Sequence, residues 1–381
     1  MLDVADPEAL AAQRLVVATA RAFAQEKLAP RAALRERERR IEPEIIRELA
    51  ALGFLGATTS PEWGGAGLDA LTYAMALEEI AAGDASVSTL VSVHNSPTCT
   101  ILERYGTAAQ KERLLRPMAS GERVACFALT EPQAGSDAAN LRTRAVREGD
   151  AWVINGSKQF ISSGAIAGVC LLFAVTNPAA GKKGISCFAV PTDTPGYRVA
   201  RIEHKLGQHA SDTCALVFEG MRVPAENLIG SEGEGYRIAL STLETGRIGI
   251  GAQAVGIARA ALEYAIAYAR ERIAFGRPII DHQAVAFRLV EAKTKLEAAR
   301  QLVHLAARKT DAGENALEAA CMAKLFASEV AEEICSAAIQ TLGGYGYLTD
   351  YPVERLYRDV RICQIYEGTS DVQKLILARS L

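Results

Sequence analysis

The spacing of apolar side chains changes twice along this chain of 381 residues, and this change limits the folds that it can adopt. Up to about residue 120 the apolar positions recur at helical spacing, interrupted by a glycine-rich loop at residues 61–67. From Arg123 onward, turn-rich segments separate short apolar or alternating runs, which is typical of a compact antiparallel β domain. After about Gly230 the helical spacing returns and persists to the C-terminus. The order predicts a mostly helical α+β protein.

We place the predicted domain boundaries where the spacing changes. Residues 1–122 are expected to form an N-terminal α-helical domain, residues 123–229 a middle β domain and residues 230–381 a C-terminal helical-bundle domain. In the first region Thr107 is positioned to cap a helix over residues 108–119. In the third region one apolar stripe recurs at alternating steps of four and three residues, which predicts a single long helix suited to a bundle. The stripe comprises Val285, Leu289, Ala292, Leu296, Ala299, Val303 and Ala306.

Charge and cysteine content exclude several classes of protein. The 42 Lys and Arg residues face 45 Asp and Glu residues, so no basic excess is available for a nucleic-acid partner. The longest apolar stretches are far too short to cross a bilayer, and the acidic N-terminus resembles neither a signal nor a transit peptide. Eight scattered cysteines without CxxC spacing give no support to a metal site, and most are predicted to be buried thiols in a reducing compartment.

Four further patterns have ordinary structural explanations. Residues 249–254 fit a loose GxGxxG/A fingerprint, but helical patterns flank them, which favours close helix packing over a dinucleotide site. The glycines of residues 343–346 lie between two helical stretches and predict a turn. His304, alone on the apolar bundle helix, is expected to be packed rather than to bind a metal. Charges alternate in sign over residues 35–40, which favours a solvated helix face.

Two segments have compositions suited to chemistry. Residues 127–137 leave an apolar strand for a loop of hydroxyls, small residues and acids, which offers hydrogen-bonding groups to a polar heterocycle or carbonyl. Residues 365–370 place the carboxylate of Glu367 between an aromatic residue and a glycine. Desolvation in such a setting would raise the pKa of the carboxyl group and suit it to general-base catalysis. On spacing alone, an ordinary loop glutamate beside a C-cap glycine remains the favoured alternative.

A series of motifs in fixed order resembles the acyl-CoA dehydrogenase family over essentially the whole chain, and most closely its short-chain (butyryl-CoA) branch. The motifs are PEWGGAG (61–67), LTEPQAGSD (129–137), NGSK (155–158), KLG (205–207), GR (246–247), RIAFG (272–276), LGGYG (342–346), YPVER (351–355), RD (358–359) and IYEGT (365–369). The resemblance implies an α-helical N-terminal domain, a β middle domain and a C-terminal four-helix bundle. This fold agrees with the order read from apolar spacing.

The resemblance also implies an activity, the FAD-dependent oxidation of a fatty acyl-CoA to its trans-2-enoyl-CoA. Glu367 matches the family's catalytic base, which takes the α-proton while the β-hydrogen leaves as hydride to flavin N5. The thioester oxygen would accept hydrogen bonds from the backbone N–H of the base and from a flavin ribityl hydroxyl. Some family members place the base at the position that is Gly246 here, so Glu367 indicates the straight-chain arrangement.

Individual site residues are implied in the same way. The expected flavin contacts are Phe127, Leu129, Thr130, Ser136, Phe160, Ile161, Ser162, Arg272, Phe275, Gln283, Gln340, Gly343, Gly344, Thr369 and Asp371. Arg272, Phe275, Gln283, Gln340, Gly343 and Gly344 would hold the pyrophosphate and adenine end across a subunit interface. The expected substrate contacts are Ser136, Glu244, Arg247, Tyr366 and Gly368, with Tyr366 as a wall of the acyl pocket.

Partners, location and substrate preference follow as expectations from the same resemblance. Electrons would pass to an electron-transferring flavoprotein, and the chain would form a homotetramer. Its location would be the cytoplasm of a bacterium, or the mitochondrial matrix if a transit peptide has been removed. A short branched substrate, such as 2-methylbutyryl- or isobutyryl-CoA, stays open, because the helix near residues 87–95 and residues 243–246 would decide the fit. A catalytically silent binding homologue is the alternative from another class.

Overall fold

The computed structural model describes residues 7–381, so the sequence-based interpretation of residues 1–6 lies outside the described residues. The N-terminal region is helical, as its apolar spacing predicts. Its α-helices are α1 (Pro7–Phe23), α2 (Ala32–Glu38), α3 (Pro43–Ala51), α4 (Ala70–Gly83), α5 (Ala85–Val93), α6 (Thr100–Tyr105), α7 (Ala108–Gln110) and α8 (Arg116–Ala119). Thr107 forms a capping box with Gln110 at the start of α7, which confirms the predicted N-cap.

Arg35 corrects the expectation of a solvated face over residues 35–40. The Arg35 side chain is buried, and its guanidinium donates to the carbonyl oxygen of Leu28 at 3.0 Å. It also pairs with Asp84 at 3.4 Å and with Glu42 at 3.3 Å. The burial of Arg35 could not be predicted from the alternating charges of residues 35–40, because its partners lie outside that run. One arginine of the run therefore joins α2 to the N-terminus of α5.

The middle region is a β-sheet, as its short apolar and alternating runs predict. Its strands are β1 (Ala125–Ala128), β2 (Arg144–Glu148), β3 (Ala151–Ser162), β4 (Val169–Val175), β5 (Ile185–Pro191), β6 (Tyr197–Ile202), β7 (Thr213–Pro224) and β8 (Leu228–Ile229). They are ordered β6-β7-β3-β2-β4-β5-β8, with β1 beside β4. Most pairings are antiparallel as predicted, but β4 pairs in parallel with β1 and, at one position, with β2. The loops that follow β1 and β2 permit this, because neither leads into a tight hairpin with β4.

Strand β4 is buried on both faces, which explains its uninterrupted apolar sequence. Leu171 and Phe173 face a core shared with the helices α6 and α8, while Cys170 and Leu172 face a second core within the sheet. The period of two along the strand therefore separates two cores. All eight cysteines of the chain are buried free thiols, as predicted for most of them.

The C-terminal region contains three long helices and two short ones. They are α9 (Gly235–Glu271), α10 (Gln283–Asp311), α11 (Leu317–Leu342), α12 (Pro352–Val360) and α13 (Ser370–Leu377). A small hairpin of β9 (Ile273–Ala274) and β10 (Arg277–Pro278) joins α9 to α10. The predicted stripe of α10 faces the core, with Leu289, Leu296 and Val303 buried. Helices α9, α10 and α11 pack together, and α12 packs on α9 and α11.

The first and last regions share one hydrophobic core. Residues of α1, α3, α4 and α5 lie in the same buried cluster as residues of α9, α10 and α11. The three predicted domains therefore remain a division made from the sequence. The helices that precede the sheet in the sequence and those that follow it pack together as one body. Helix α9 is central to that body, since it contacts α4, α5, α10, α11 and α12.

Glycines of α9 allow this close packing. A Cβ at Gly249 would lie 2.9 Å from Ser92 Oγ, and one at Gly251 would lie 2.9 Å from a methyl group of Val303. At Gly256 a Cβ would lie 2.3 Å from the backbone carbonyl oxygen of Glu78. The loose fingerprint at residues 249–254 lies inside α9 and serves helix packing, as predicted. Residues 343–346 form a short 3-10 turn after α11, and His304 is buried in the bundle, also as predicted.

The difference between a backbone and a side-chain neighbour can be tested with two alanine substitutions in α9. Both Gly256→Ala and Gly251→Ala gain the same helix propensity, about 1 kcal/mol. Gly256→Ala must displace the backbone of α4, whereas Gly251→Ala displaces only a methyl group of Val303. We expect Gly256→Ala to have the lower thermal midpoint, by several degrees, in calorimetry of the purified proteins. Equal midpoints would contradict the close α4–α9 contact.

Candidate active site

Glu367 lies in a short segment with unusual backbone geometry between α12 and α13. Glu367 has φ +52° and Gly368 has φ +89°, two consecutive left-handed residues. Glycine adopts this conformation freely, but a glutamate rarely does, so the segment is strained at this residue. Thr369 follows as the N-cap of α13 and accepts from the N–H of Val372 at 3.2 Å. The strained residue Glu367 therefore lies two residues before the N-cap of α13.

Two buried side chains hold this segment from the interior. Lys324 Nζ donates to the carbonyl oxygen of Gly368 at 2.6 Å, and Gln373 Nε2 donates to the same oxygen at 2.9 Å. Lys324 lies on the core side of α11, and both side chains are fully buried. Burial lowers the pKa of Lys324 to about 8, so the ammonium form still prevails at neutral pH. The left-handed turn is thus fixed by two interior donors.

The carboxylate of Glu367 faces helix α9 where that helix has no side chain. A Cβ at Gly246 would lie 2.2 Å from Glu367 Oε2, so any larger residue at 246 would displace the carboxylate. Oε2 is shielded from solvent and has no hydrogen-bond partner among the described residues. Burial raises the pKa of Glu367 to about 7, although Lys324 and Arg247 act in the opposite direction. The direction agrees with the sequence-based expectation for this carboxyl group.

The neighbouring residues on α9 are also buried and polar. Arg247 is 5% exposed, and its Nε and Nη1 have no hydrogen-bond partner among the described residues. Glu244 is half-buried one turn before it. An unpaired buried guanidinium is costly, so this arrangement suits a polar ligand that completes it. Ser136, the other expected substrate contact, is exposed on the loop after β1.

Tyr366 is anchored through a chain of buried hydrogen bonds. Its hydroxyl donates to Gln253 Oε1 on α9, and Gln253 Nε2 donates to Thr89 Oγ1 on α5 at 2.7 Å. Thr89 in turn donates to Gln208 Oε1 at 2.5 Å, and the backbone N–H of Gln208 donates to Asp359. The chain connects α9, α5, the loop after β6 and α12. Tyr366, the residue before the candidate base, is therefore linked to the N-terminal, middle and C-terminal regions of the chain.

The residues expected on the flavin ring fall into two groups. Phe127 is half-buried on β1, Leu129 is buried just after it, and the carbonyl oxygen of Thr130 accepts from Gln159 of β3 at 2.9 Å. At the end of β3, Phe160 is 64% exposed with φ +60°, and Ser162 is half-buried. The Ile161 side chain instead lies in the core of the sheet, which leaves only its backbone for a ligand.

A buried ion pair joins β3 to the segment after β1, which together carry these residues. The sequence-based expectations gave this pair no role. Lys158 Nζ contacts Glu131 Oε1 at 2.8 Å and the carbonyl oxygen of Leu129 at 2.9 Å. Glu131 also accepts from the backbone N–H groups of Arg142 at 2.6 Å and Thr143 at 3.0 Å. Burial alone would raise the pKa of Glu131, but Lys158 and these donors lower it to about 2. In the sequence, the only sign of this ion pair was Lys158 at an inward position of an alternating strand.

A second group of expected cofactor residues meets at a cavity of about 530 Å³. Arg272, Gly343 and Gly344 line it together with Tyr268 and Tyr345. The guanidinium of Arg272 lies 5.6 Å from the centroid of the Tyr345 ring and makes no salt bridge with any described residue. Nothing lies within 4 Å of a Cβ built on either glycine, so the floor of the cavity is open backbone. The cavity therefore offers a free cation beside accessible backbone, which suits a phosphate group.

The remaining expected cofactor residues are exposed but do not line this cavity. Phe275 is 96% exposed at the tip of the β9–β10 hairpin, with φ +52°. Gln283 and Gln340 are exposed at the start of α10 and near the end of α11. Asp371 is exposed in the first turn of α13. A single chain thus leaves these side chains without a common pocket.

Two absences within the part of the chain that the structure describes bear on other classes of site. Residues 7–381 contain no cluster of three or more histidine, cysteine or acidic side chains arranged to hold a metal ion. None of the described helices combines the length and apolar character required to span a membrane.

Comparison with known proteins gives a consistent result along the chain. Family profiles for the N-terminal, middle and C-terminal domains of acyl-CoA dehydrogenase match residues 11–122, 126–221 and 233–381. The human mitochondrial short-chain specific acyl-CoA dehydrogenase is 44% identical over 368 residues, which cover 97% of this chain and 89% of that protein.

Two solved structures share the fold over almost the full length. Butyryl-CoA dehydrogenase from Megasphaera elsdenii superposes with a TM-score of 0.95 and 41% identity, over 97% of each chain. A chain in the structure of the electron transferring flavoprotein of Acidaminococcus fermentans superposes with a TM-score of 0.96 and 43% identity, over 100% of this chain and 99% of that one. The chain therefore belongs to the acyl-CoA dehydrogenase family and is an FAD-dependent oxidoreductase that acts on a CH–CH group.

Proposed function

We propose that this protein oxidises a short-chain acyl-CoA to the trans-2-enoyl-CoA, with Glu367 as the base that removes the α-proton. The observation that carries the proposal is the carboxylate of Glu367, whose Oε2 is shielded from solvent and unpartnered, and faces the backbone of Gly246. Its pKa of about 7 matches a general base working at neutral pH. An ordinary loop glutamate would instead be solvated, with its pKa near the usual value for glutamate.

The residues present fit an FAD molecule. The cavity with Arg272, Gly343 and Gly344 suits the pyrophosphate, because a free guanidinium and open backbone face it. The wall formed by Phe127, Leu129, Thr130, Phe160 and Ser162 would hold the isoalloxazine ring, with Ser136, Thr369, Asp371 and the backbone of Ile161 beside it. When bound, the flavin supplies the acceptor for the hydride that leaves the β-carbon.

The chain's own residues account for the proton step. Oε2 of Glu367 accepts the α-proton, and Gly246 leaves the space in which the substrate and the carboxylate meet. The backbone N–H of Glu367 donates to no described residue and is available to the thioester oxygen, where charge develops as the proton leaves. Lys324 and Gln373 hold the turn, so the N–H and the carboxylate keep their relative position. Arg247, Glu244 and Ser136 are the proposed contacts of the CoA portion, and Gly368 is a further proposed substrate contact.

The short-chain assignment is supported by the names of the relatives. The human relative is described as short-chain specific, and the Megasphaera relative as a butyryl-CoA dehydrogenase. Tyr366, fixed by Gln253, would form a wall of the acyl pocket. A short branched acyl-CoA remains the second candidate, since one methyl group changes selectivity by only about 1–3 kcal/mol.

Partners and location belong to the same proposal. We expect electrons to pass to an electron-transferring flavoprotein, because a structure named for such a protein, from Acidaminococcus fermentans, contains a chain that superposes on this one. We also expect a homotetramer, since Phe275, Gln283 and Gln340 are exposed in the single chain and would meet the cofactor of a neighbouring subunit. The relatives are bacterial and mitochondrial, which supports the cytoplasm of a bacterium or the mitochondrial matrix.

The base can be tested by anaerobic titration of the flavoprotein with butyryl-CoA, in parallel with isobutyryl- and 2-methylbutyryl-CoA. In Glu367→Gln we expect the flavin to remain bound while its bleaching slows by at least about 10²–10⁴-fold, because the amide cannot accept the α-proton. Glu329→Gln, a surface control, should bleach at the wild-type rate. Wild-type bleaching in Glu367→Gln would remove this residue from the base role, and bleaching by a branched ester alone would change the substrate.

The pH dependence of bleaching follows from the same carboxylate. Only its ionised form accepts a proton, so the rate at subsaturating butyryl-CoA should rise about tenfold per pH unit below the pKa of about 7 and level off above it. Stopped-flow absorbance between pH 5.5 and 8 would measure this profile. A rate that does not change over this range would show that proton abstraction by a group of this pKa does not limit the reaction.

Arg272→Met tests the proposed pyrophosphate site. Loss of a charge-assisted pair should weaken FAD binding by roughly 10–100-fold, because such bonds contribute about 1.5–3 kcal/mol. Arg270→Met is the matched control, since Arg270 is exposed two residues earlier and does not line the cavity. The ratio of flavin to protein after dialysis, and FAD fluorescence titration, would report the difference. Equal retention of FAD in both variants would place the pyrophosphate elsewhere.

A further inference from the structure

A second cavity, of about 190 Å³, lies beside the candidate active site and has no role in the proposed reaction. Exposed residues stand at one side of it, namely Asp69, Arg104 and Asp311. Buried residues stand at the other side, namely Tyr73, Ser96, Ile248 and Gly249. The cavity therefore runs inward from the surface and ends on interior side chains of α4, α9 and the segment after α5.

Helix α9 leads from the base to this cavity. Gly246 faces the carboxylate of Glu367, while Thr245, Ile248 and Gly249 line the cavity. Gly246 and Gly249 are three residues apart and are therefore neighbours on the surface of α9. Ser96 and Thr245 are joined by a hydrogen bond of 2.8 Å at the cavity wall. The space at Glu367 and the cavity thus border neighbouring positions of one turn of α9.

Tyr73 of α4 is the buried aromatic side chain at this cavity. Its ring lines the cavity, and its hydroxyl donates to the carbonyl oxygen of Val91 on α5 at 3.4 Å. Helix α5 includes most of residues 87–95, which the family resemblance implies would line the acyl pocket. Burial raises the pKa of Tyr73, and the nearby charge of Glu367 raises it further, so the hydroxyl is within electrostatic reach of the base. Tyr73 therefore has the cavity on one side and the reaction site on the other.

We infer that Tyr73 sets the upper limit of acyl chain length by closing the acyl pocket against this cavity. The inference rests on the proposed function, because it concerns the far end of the same pocket. A tail longer than butyryl would meet the tyrosine ring. Without that ring it would enter a space lined by polar side chains and by Leu68, Ala70 and Ile248, and the methylenes that pack on these three residues would leave water.

The test compares purified holoenzymes carrying Tyr73→Ala or Tyr73→Phe with the wild type. For each protein kcat/KM is measured with butyryl-, hexanoyl- and octanoyl-CoA, and the octanoyl to butyryl ratio is taken within that protein. We expect this ratio to rise at least about tenfold in Tyr73→Ala, mainly through a lower KM for octanoyl-CoA. Tyr73→Phe keeps the ring and should change the ratio by less than about twofold. If the alanine variant is unstable, Tyr73→Leu replaces it in the same comparison, because leucine also removes the ring but leaves a smaller cavity in the core.

The outcomes separate the two proposals. A raised ratio in Tyr73→Ala with an unchanged ratio in Tyr73→Phe supports the role of the ring. An unchanged ratio in Tyr73→Ala and Tyr73→Leu, while butyryl-CoA still bleaches the flavin, overturns the inference alone. An equal rise in Tyr73→Phe also overturns it, because the hydroxyl rather than the volume would then matter. A wild-type flavin that no acyl-CoA bleaches would overturn the proposed function and the inference together.

Discussion

The contact between the carboxylate of Glu367 and the bare backbone of Gly246 governs the arrangement of the candidate site. It requires a glycine at one position of α9 and a left-handed backbone at Glu367, and both requirements are met. The strain at Glu367 persists because Lys324 and Gln373 bind the next carbonyl oxygen from the interior. The backbone that carries this carboxylate cannot shift without breaking buried hydrogen bonds. Its reactivity and its position therefore have the same structural cause.

Buried charges are used in two different ways in this protein. Glu131 and Lys158 satisfy each other and the surrounding backbone, so that pair stabilises the strand-to-loop transition beside the flavin wall. Around Glu367, by contrast, Arg247 and the carboxylate retain buried atoms without partners in the described chain. Fully satisfied groups are typical of support, and unsatisfied ones of sites that a ligand completes. The contrast separates the scaffold from the site within one small region.

Features with a local period could be predicted from the sequence, whereas contacts between distant segments could not. The stripe on α10, the cap at Thr107 and the helical flanks of residues 249–254 depend on neighbours within a few turns, and the structure confirms them. Lys324 was missed, because a lysine in an apolar helix gains meaning only from Gly368, 44 residues away. Motif resemblance pointed to Glu367 as a candidate base, whereas spacing alone favoured an ordinary loop residue there. The parallel pairing of β4 and the burial of Arg35 were missed for the same reason as Lys324.

The shared core of the two helical regions has a consequence for the order in which the chain folds during synthesis. Helix α4 buries its apolar face against α9, which is translated about 150 residues later. At roughly 5–20 residues per second, that delay is on the order of 10 s. The β-sheet closes its own inner core within the intervening segment, before the partner of α4 exists. The newly made N-terminal helices must therefore wait with exposed apolar faces, which makes this interval the one in which a nascent chain most needs a chaperone.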